Sequence, residues 1–283
     1  PAASAAAGAP EPLDHAFPLP RPPDHARHVL RHVDLRQVFP FVNPGMLYGK
    51  HLGLRGDLAK LLDEKDETAV KVHAVVEELQ TLAAREGILE AHAVYRWFPA
   101  TAEDGKLVLF DPDAPAETVA ETFTFRRQPK APRRALSDYV RPRGAGQTDS
   151  VCLFVVTAGR GVRERAEKWK DEGEYLKSHA LSALALETAE ALAEVLHRRI
   201  RTQWGIADEP GLTAKDLFKG KYRGRRYSFG YPACPELADQ QKLFRLLAPE
   251  DVGVRLTEGF MMDPEASVSA VVFHHPAAEY YAV

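Results

Sequence analysis

Val72, Val75, Val76, Leu79, Leu82 and Ala83 recur at i, i+3, i+4, i+7, i+10 and i+11, the spacing that gathers apolar side chains on one face of a helix. Gly87 ends that helix, because glycine enters the left-handed cap conformation without steric cost. Short apolar runs follow. Ala93 to Phe98 and Lys106 to Phe110, joined by Thr-Ala-Glu-Asp-Gly, then Thr122 to Arg127 and Val151 to Thr157, predict strands of a largely antiparallel sheet. A long helical stretch runs from about Arg163 to Thr202 with a break near Gly173, and Leu181, Leu184, Ala185, Thr188, Leu192, Val195 and Leu196 form its main stripe. Glu190 lies opposite that stripe, but Ala183, Leu186 and Ala193 share its side, so both sides of this helix should meet protein or ligand. Val254 to Phe260 and Ser267 to Phe273 read as two β-like segments around Met-Asp-Pro-Glu. Phe39 to Gly56, punctuated by Pro44, Gly45 and Gly49, reads as loop or short turns. Strands and helices do not alternate regularly, so the predicted class is α+β, a mainly antiparallel twisted sheet flanked by long helices.

A chain of 283 residues with 45% hydrophobic and 27% charged content can bury a substantial core. Residues 1–23 depart from this composition, with seven prolines and seven alanines. Such a stretch buries too little to offset its ordering entropy, so 1–28 is expected to be a flexible interdomain linker and 29–283 the folded domain. A linker implies a module upstream.

The net charge of −3 offers no overall field for a polyanion, and no apolar run approaches the roughly 18 residues a membrane span requires, so neither nucleic acid nor membrane is an expected partner. Cys152 and Cys234 are the only cysteines, far apart and without a Cys-x-x-Cys pair. That usage points to a reducing, cytoplasmic compartment and predicts no zinc in this segment. Thr-Ala-Gly-Arg-Gly at 157–161 lacks the spacing of a dinucleotide turn and reads as a tight strand-to-helix connection.

Chemistry concentrates at 226–235, Arg-Tyr-Ser-Phe-Gly-Tyr-Pro-Ala-Cys-Pro. Pro232 and Pro235 fix φ and remove two backbone donors, while Gly230 lets the main chain approach a partner that a Cβ would block. The prediction is a rigid, irregular rim. Arg226 offers a planar fork to a carboxylate and Tyr231 a flat apolar wall, a set that suits a small zwitterion carrying a ring. Cys234 has no evident base nearby in sequence and reads as structural.

Arg-x-x-x-Gly-Tyr-Pro-Ala-Cys-Pro is followed in order by Leu-Thr-Glu-Gly-Phe-Met-Met (256–262), Ala-Ser-Val-Ser-Ala (266–270) and His-Pro-Ala-Ala-Glu-Tyr-Tyr-Ala-Val (275–283). In these four motifs the chain resembles the activation domain of cobalamin-dependent methionine synthases, most strongly over 150–283. The resemblance implies binding of S-adenosylmethionine, whose methyl group is used to reactivate a cobalamin held by a preceding cobalamin-binding domain, with flavodoxin or another one-electron donor as partner. It also implies site residues. Arg226 would hold the methionyl carboxylate, Ser228 and Gly230 would present main-chain groups, and Tyr231 would pack beside the ligand. Glu190 would face its cationic end, Tyr280 and Tyr281 would stack on it, and Asp63, with Asp66 as the alternative, would supply a further contact. No catalytic acid or base is expected, because the sulfonium leaves as a neutral thioether. Relatives of this kind often carry a histidine two residues after Pro-Ala-Cys-Pro, where this chain has Leu237.

A second function class also has a footing in the sequence. Arg-Arg-Gln-Pro-Lys-Ala-Pro-Arg-Arg at 126–134 and Lys-Gly-Lys-Tyr-Arg-Gly-Arg-Arg at 219–226 are basic segments that could dock nucleic acid or an acidic protein partner.

Overall fold

The computed structural model describes residues 10–283. Nine strands succeed one another: β1 (His28–Val33), β2 (Ala91–Glu103), β3 (Lys106–Phe110), β4 (Val119–Thr124), β5 (Asp149–Thr157), β6 (Arg225–Tyr227), β7 (Arg255–Leu256), β8 (Met262–Asp263) and β9 (Ser267–Phe273). The helices are α1 (Leu35–Val38), α2 (Leu58–Asp63), α3 (Glu67–Glu86), α4 (Val162–Asp171), α5 (Tyr175–Gln203), α6 (Ala214–Phe218) and α7 (Gln240–Leu247).

Seven strands form one antiparallel sheet in the order β4-β3-β2-β5-β9-β6, with β1 also paired to β2. At 13 residues, β2 is long enough for two partners along one edge: Val29 of β1 pairs with Val94, and Leu109 of β3 with Ala100. Every residue of β5 is buried, because the sheet is covered on both faces. Cys152, Phe154 and Val156 join the core made with α3 and α5, whereas Val151, Leu153 and Val155 join a second core with Leu243, Phe244 and Leu247 of α7. Two-sided burial explains why this strand reads as an uninterrupted apolar run.

The helix predicted from Val72 to Ala83 is α3, capped by the Asp66 carboxylate on the Ala69 N–H at 2.8 Å and ended by Gly87 at φ 64°. The predicted break at Gly173 (φ 87°) separates α4 from α5. Thr-Ala-Gly-Arg-Gly makes the expected connection from β5 into α4. A Cβ at Gly159 would fall 2.7 Å from Pro264 Cβ, so the tightness of this turn depends on glycine.

Two expectations need correction. The loop read over Phe39 to Gly56 contains a short 3-10 turn (Phe39–Phe41) and a wide-turn helical segment (Gly45–His51). Its start is held by the Asn43 side chain, which accepts from the N–H groups of Gly45 and Met46 at 3.0 and 3.3 Å. The strand read over Val254 to Phe260 shrinks to β7, because the Thr257 N–H donates to the Met261 carbonyl at 2.8 Å and folds the chain back into β8. Residues 10–27, the described part of the expected linker, are extended but lie against the domain. Arg141 Nη2 donates to the His15 and Phe17 carbonyls at 2.9 and 2.6 Å, and the Phe17 ring sits edge-on to His274 and His275. The half-buried Phe17 ring, with Leu13 packed against the core beside α7, gives this Pro-rich segment its apolar contacts. Residues 1–9 of that expected linker lie outside the described residues. Among the described residues no helix is long and apolar enough to cross a membrane.

Candidate functional site

Inside α5, among alanines and leucines, the polar residues Glu187, Glu190, Glu194, His197 and Arg201 recur at i, i+3, i+7, i+10 and i+14. That spacing lines them along one face of the helix. Glu187, Glu190 and Glu194 look into a cleft of about 650 Å³, with His197 and Arg201 buried beyond them; its other walls come from β6 and the turn after it, the Gly45–His51 segment, the β7–β8 ribbon and the C-terminal residues. Phe218, Tyr231, Met261 and Tyr280 are exposed large apolar side chains, and all four line this cleft.

The proline-containing turn is built from its own backbone. Gly230 N–H donates to the Cys234 carbonyl at 2.9 Å, and Cys234 N–H returns to the Tyr231 carbonyl at 3.0 Å. Gly230 has φ 86°, which L side chains rarely adopt, so the turn needs glycine there; a Cβ would also press on the end of the flexible Leu237 side chain at 3.0 Å. Cys234 Sγ donates to the Ser228 carbonyl at 2.9 Å, and burial pushes its thiol up to about 12. A thiol so held is structural, not nucleophilic.

Arg226 projects from β6 toward α5, where its Nη1 donates to Glu194 Oε2 at 2.6 Å. Burial opposes its charge, but Glu194 and the nearby phenols of Tyr222 and Tyr280 outweigh this and raise its pKa. Behind the pair stands Arg201, held by Asp208 through two hydrogen bonds of 2.7 Å each and covered by the Tyr222 ring at 3.9 Å. His197, fully enclosed, is kept neutral by burial and by Arg201, Arg226 and Arg225. Further along α5, Glu187 is buried and accepts from His51 Nε2 at 3.0 Å. Glu190 is open to water from the cleft yet enclosed by its walls. Burial pushes its carboxyl up, Arg226 draws it down, and Glu194 adds a further upward push.

Of the residues singled out in the sequence, Glu190, Arg226, Tyr231 and Tyr280 come together on the cleft walls. Ser228 and Gly230 form the turn behind Tyr231 and do not line the cleft. Tyr281 turns instead into the core beside α7, next to Tyr227. Asp63 is exposed at the last position of α2, and Asp66 is spent capping α3; neither reaches the cleft. The sequence reading missed His51, Glu187 and Glu194. The two glutamates were findable, because a polar set at three- and four-residue spacing inside an apolar helix marks a face turned toward something polar. His51 carried no such signal.

Many cations of the two basic segments are used internally. Arg126 pairs with Glu236, Arg127 holds Asp138 at 2.5 and 2.7 Å, Lys221 holds Asp216 at 2.8 Å, and Arg225 donates to the Tyr222 and Gly224 carbonyls at 2.6 Å each. They do not form one free face for a polyanion. His32, Glu90 and His92 also bring three potential ligand atoms together. His92 Nδ1 accepts from the His32 N–H at 3.2 Å and its Nε2 lies 3.2 Å from Glu90, so both nitrogens are engaged and the group is a hydrogen-bonded cluster.

The sequence profile described as vitamin B12 dependent methionine synthase, activation domain, matches residues 34–283. Methionine synthase of Mycobacterium tuberculosis is 36% identical over 210 residues, covering 70% of this chain and 18% of the relative. Methionine synthase of Mycobacterium leprae is 30% identical over 287 residues, covering 94% of this chain and 23% of the relative. The chain therefore spans about a fifth of the length of these curated relatives. A crystal structure of the MetH reactivation domain bound to AdoHcy superposes with a TM-score of 0.88 at 26% identity, covering 95% of this chain and 85% of that one. By the profile match over nearly its whole length, this chain belongs to the activation-domain family of vitamin B12 dependent methionine synthases.

Proposed function

We propose that the cleft binds S-adenosylmethionine and that the domain supplies its methyl group for reductive methylation of an inactive cob(II)alamin, carried by the preceding cobalamin-binding domain of the same polypeptide. The observation that carries this reading is the convergence of Arg226, Glu190, Tyr231 and Tyr280 on one cleft of about 650 Å³, a size suited to a small metabolite. S-adenosylmethionine has one carboxylate, two cationic centres and a flat base. The cleft answers with a guanidinium, carboxylates on α5 and phenol rings at its mouth. The structural neighbour was solved with AdoHcy, the same ligand without the transferred methyl, which supports the assignment.

A cobalamin carried by the preceding domain would supply the nucleophile once reduced by flavodoxin or another one-electron donor. This chain supplies position. Arg226 and Glu190 grip the amino acid end, Tyr231 and Tyr280 flank the adenosyl end, and the methyl is held toward the open mouth. The sulfonium departs as a neutral thioether, so no side chain has to move a proton.

Calorimetric titration of the whole chain with S-adenosylmethionine, and separately with a single-stranded oligonucleotide, tests the assignment. Saturation at one site by the former and no heat from the latter is the expected result. Oligonucleotide binding without S-adenosylmethionine binding would overturn it.

A further inference from the structure

We propose that Glu187, buttressed by His51, makes the cleft prefer a sulfonium ligand over the neutral thioether that remains after methyl transfer. The inference rests on the S-adenosylmethionine reading and adds a role for a side chain that reading does not use.

The two forms of the ligand share their carboxylate, ammonium and adenine, and differ in charge only at sulfur. Discrimination between them has to come from a group that senses that one positive charge. Three carboxylates line the cleft from α5, and they are not equivalent. Glu194 is committed to Arg226 at 2.6 Å, with Arg201 behind it at 3.9 Å. Glu190, one turn away, lies on the Arg226 side, where the carboxylate and ammonium of the ligand belong together. Glu187 is the third, one further turn along the helix and beyond the reach of Arg226.

Glu187 is also the most firmly placed of the two that remain. It is 4% exposed and takes a hydrogen bond from His51 Nε2 at 3.0 Å. His51 is in turn fixed by its own carbonyl, which accepts from His179 Nε2 at 2.9 Å. The other charges facing Glu187 are Lys50, at the end of the Gly45–His51 segment, and Glu190. Burial pushes the Glu187 carboxyl up, and the hydrogen bond from His51 draws it back down. As a carboxylate fixed in a partly dehydrated wall, it keeps its field directed into the cleft without the reorganisation a mobile surface acid would undergo. At separations of several ångströms and an effective dielectric near 20, such a charge alters the affinity of a cationic centre by roughly tenfold or more. The consequence is release of spent ligand in favour of fresh ligand.

The test compares dissociation constants of S-adenosylmethionine and S-adenosylhomocysteine for the whole chain and two variants. Glu187→Gln should weaken the sulfonium ligand about tenfold and leave the thioether within about twofold, compressing the ratio. Lys50→Gln, at an exposed position, should move the ratio the other way by removing an opposing positive charge. Should Glu187→Gln fail to fold, Glu187→Asp, which keeps the charge but shortens its reach, takes its place and should compress the ratio part of the way. Equal weakening of both ligands by Glu187→Gln, or an unchanged ratio in whichever Glu187 variant folds, overturns the inference. Failure of the unmodified chain to bind either ligand would sink the underlying S-adenosylmethionine reading instead.

Discussion

Arg226 and Glu194 meet at 2.6 Å across the cleft wall, joining the edge strand β6 to the middle of α5. The Glu194 side chain is 5% exposed and that of Arg226 17%. Arg226 Nη1 is engaged, while among the described residues no acceptor in the chain takes its Nε or Nη2. One end of the guanidinium is anchored, and the other is free for a ligand.

Arg226→Ala should therefore do two separable things. It removes the free donors, so calorimetry should show S-adenosylmethionine affinity falling by about 2–4 kcal/mol, more than an exposed ion pair is worth. It also leaves Glu194 buried with Arg201 as its remaining cation, so the unfolding midpoint should drop as well. Arg226→Lys should restore much of the stability but little of the affinity, because an ammonium lacks the planar fork. Unchanged affinity in Arg226→Ala would remove Arg226 from the site.

The sequence carried the fold wherever a period was long enough to read. The α3 stripe, the α4–α5 pair around Gly173 and the central strands all follow from spacing, because burial enforces it. Short edge elements were not legible. The three residues of β6 and the two each of β7 and β8 are set by the strands they pair with, not by any pattern of their own. At the site, Arg226, Glu190, Tyr231 and Tyr280 were accessible through motif and helical position. Tyr281 was not separable from Tyr280 in sequence, since which of two adjacent rings turns inward is decided by the core they meet.

The two terminal tyrosines give a paired prediction. Tyr280 is 58% exposed on the cleft wall, with the Arg225 guanidinium 5.7 Å from its ring centre. Tyr280→Ala should weaken S-adenosylmethionine by about 1–2 kcal/mol through lost stacking and leave the fold nearly intact. Among the described residues the buried Tyr281 hydroxyl has no hydrogen-bond partner. Tyr281→Phe should leave the thermal midpoint unchanged or higher, since it removes an unsatisfied polar group and keeps the ring. A marked fall in midpoint for Tyr281→Phe would show that the hydroxyl has a stabilising partner.

Gly224 precedes β6 at φ 78°, and a Cβ there would collide with the Phe273 carbonyl and approach His274 Cα at 3.2 Å. Both obstacles are backbone, and neither can rotate away. Gly224→Ala should cost more than about 2 kcal/mol in denaturant unfolding, because the strained φ and the displaced β6–β9 pairing add together. It should also weaken ligand binding, since Arg226 is two residues on. A variant as stable as the parent would mean that β6 can shift without loss.

His275 sets a pH limit on the fold. It is 1% exposed, and burial first, then His15 and His274, lower its pKa from 6.5 to about 4. The folded chain thus keeps this imidazole neutral where the unfolded chain would protonate it. Above pH 6.5 both states are neutral and its contribution is fully present. As pH falls from 6.5 toward 4 the unfolded state gains the proton, and stability declines by roughly 1.4 kcal/mol per unit, about 3 kcal/mol in all. Urea midpoints at pH 7, 6 and 5 should fall in step. His275→Gln retains an acceptor for the Ala277 N–H and should flatten that slope, even though it costs stability at pH 7. The N-terminal segment should loosen over the same interval, because Phe17 and His15 rest on this ring, and hydrogen exchange at residues 14–18 would report it. Equal slopes in parent and variant would mean that His275 takes its proton without opposing the fold.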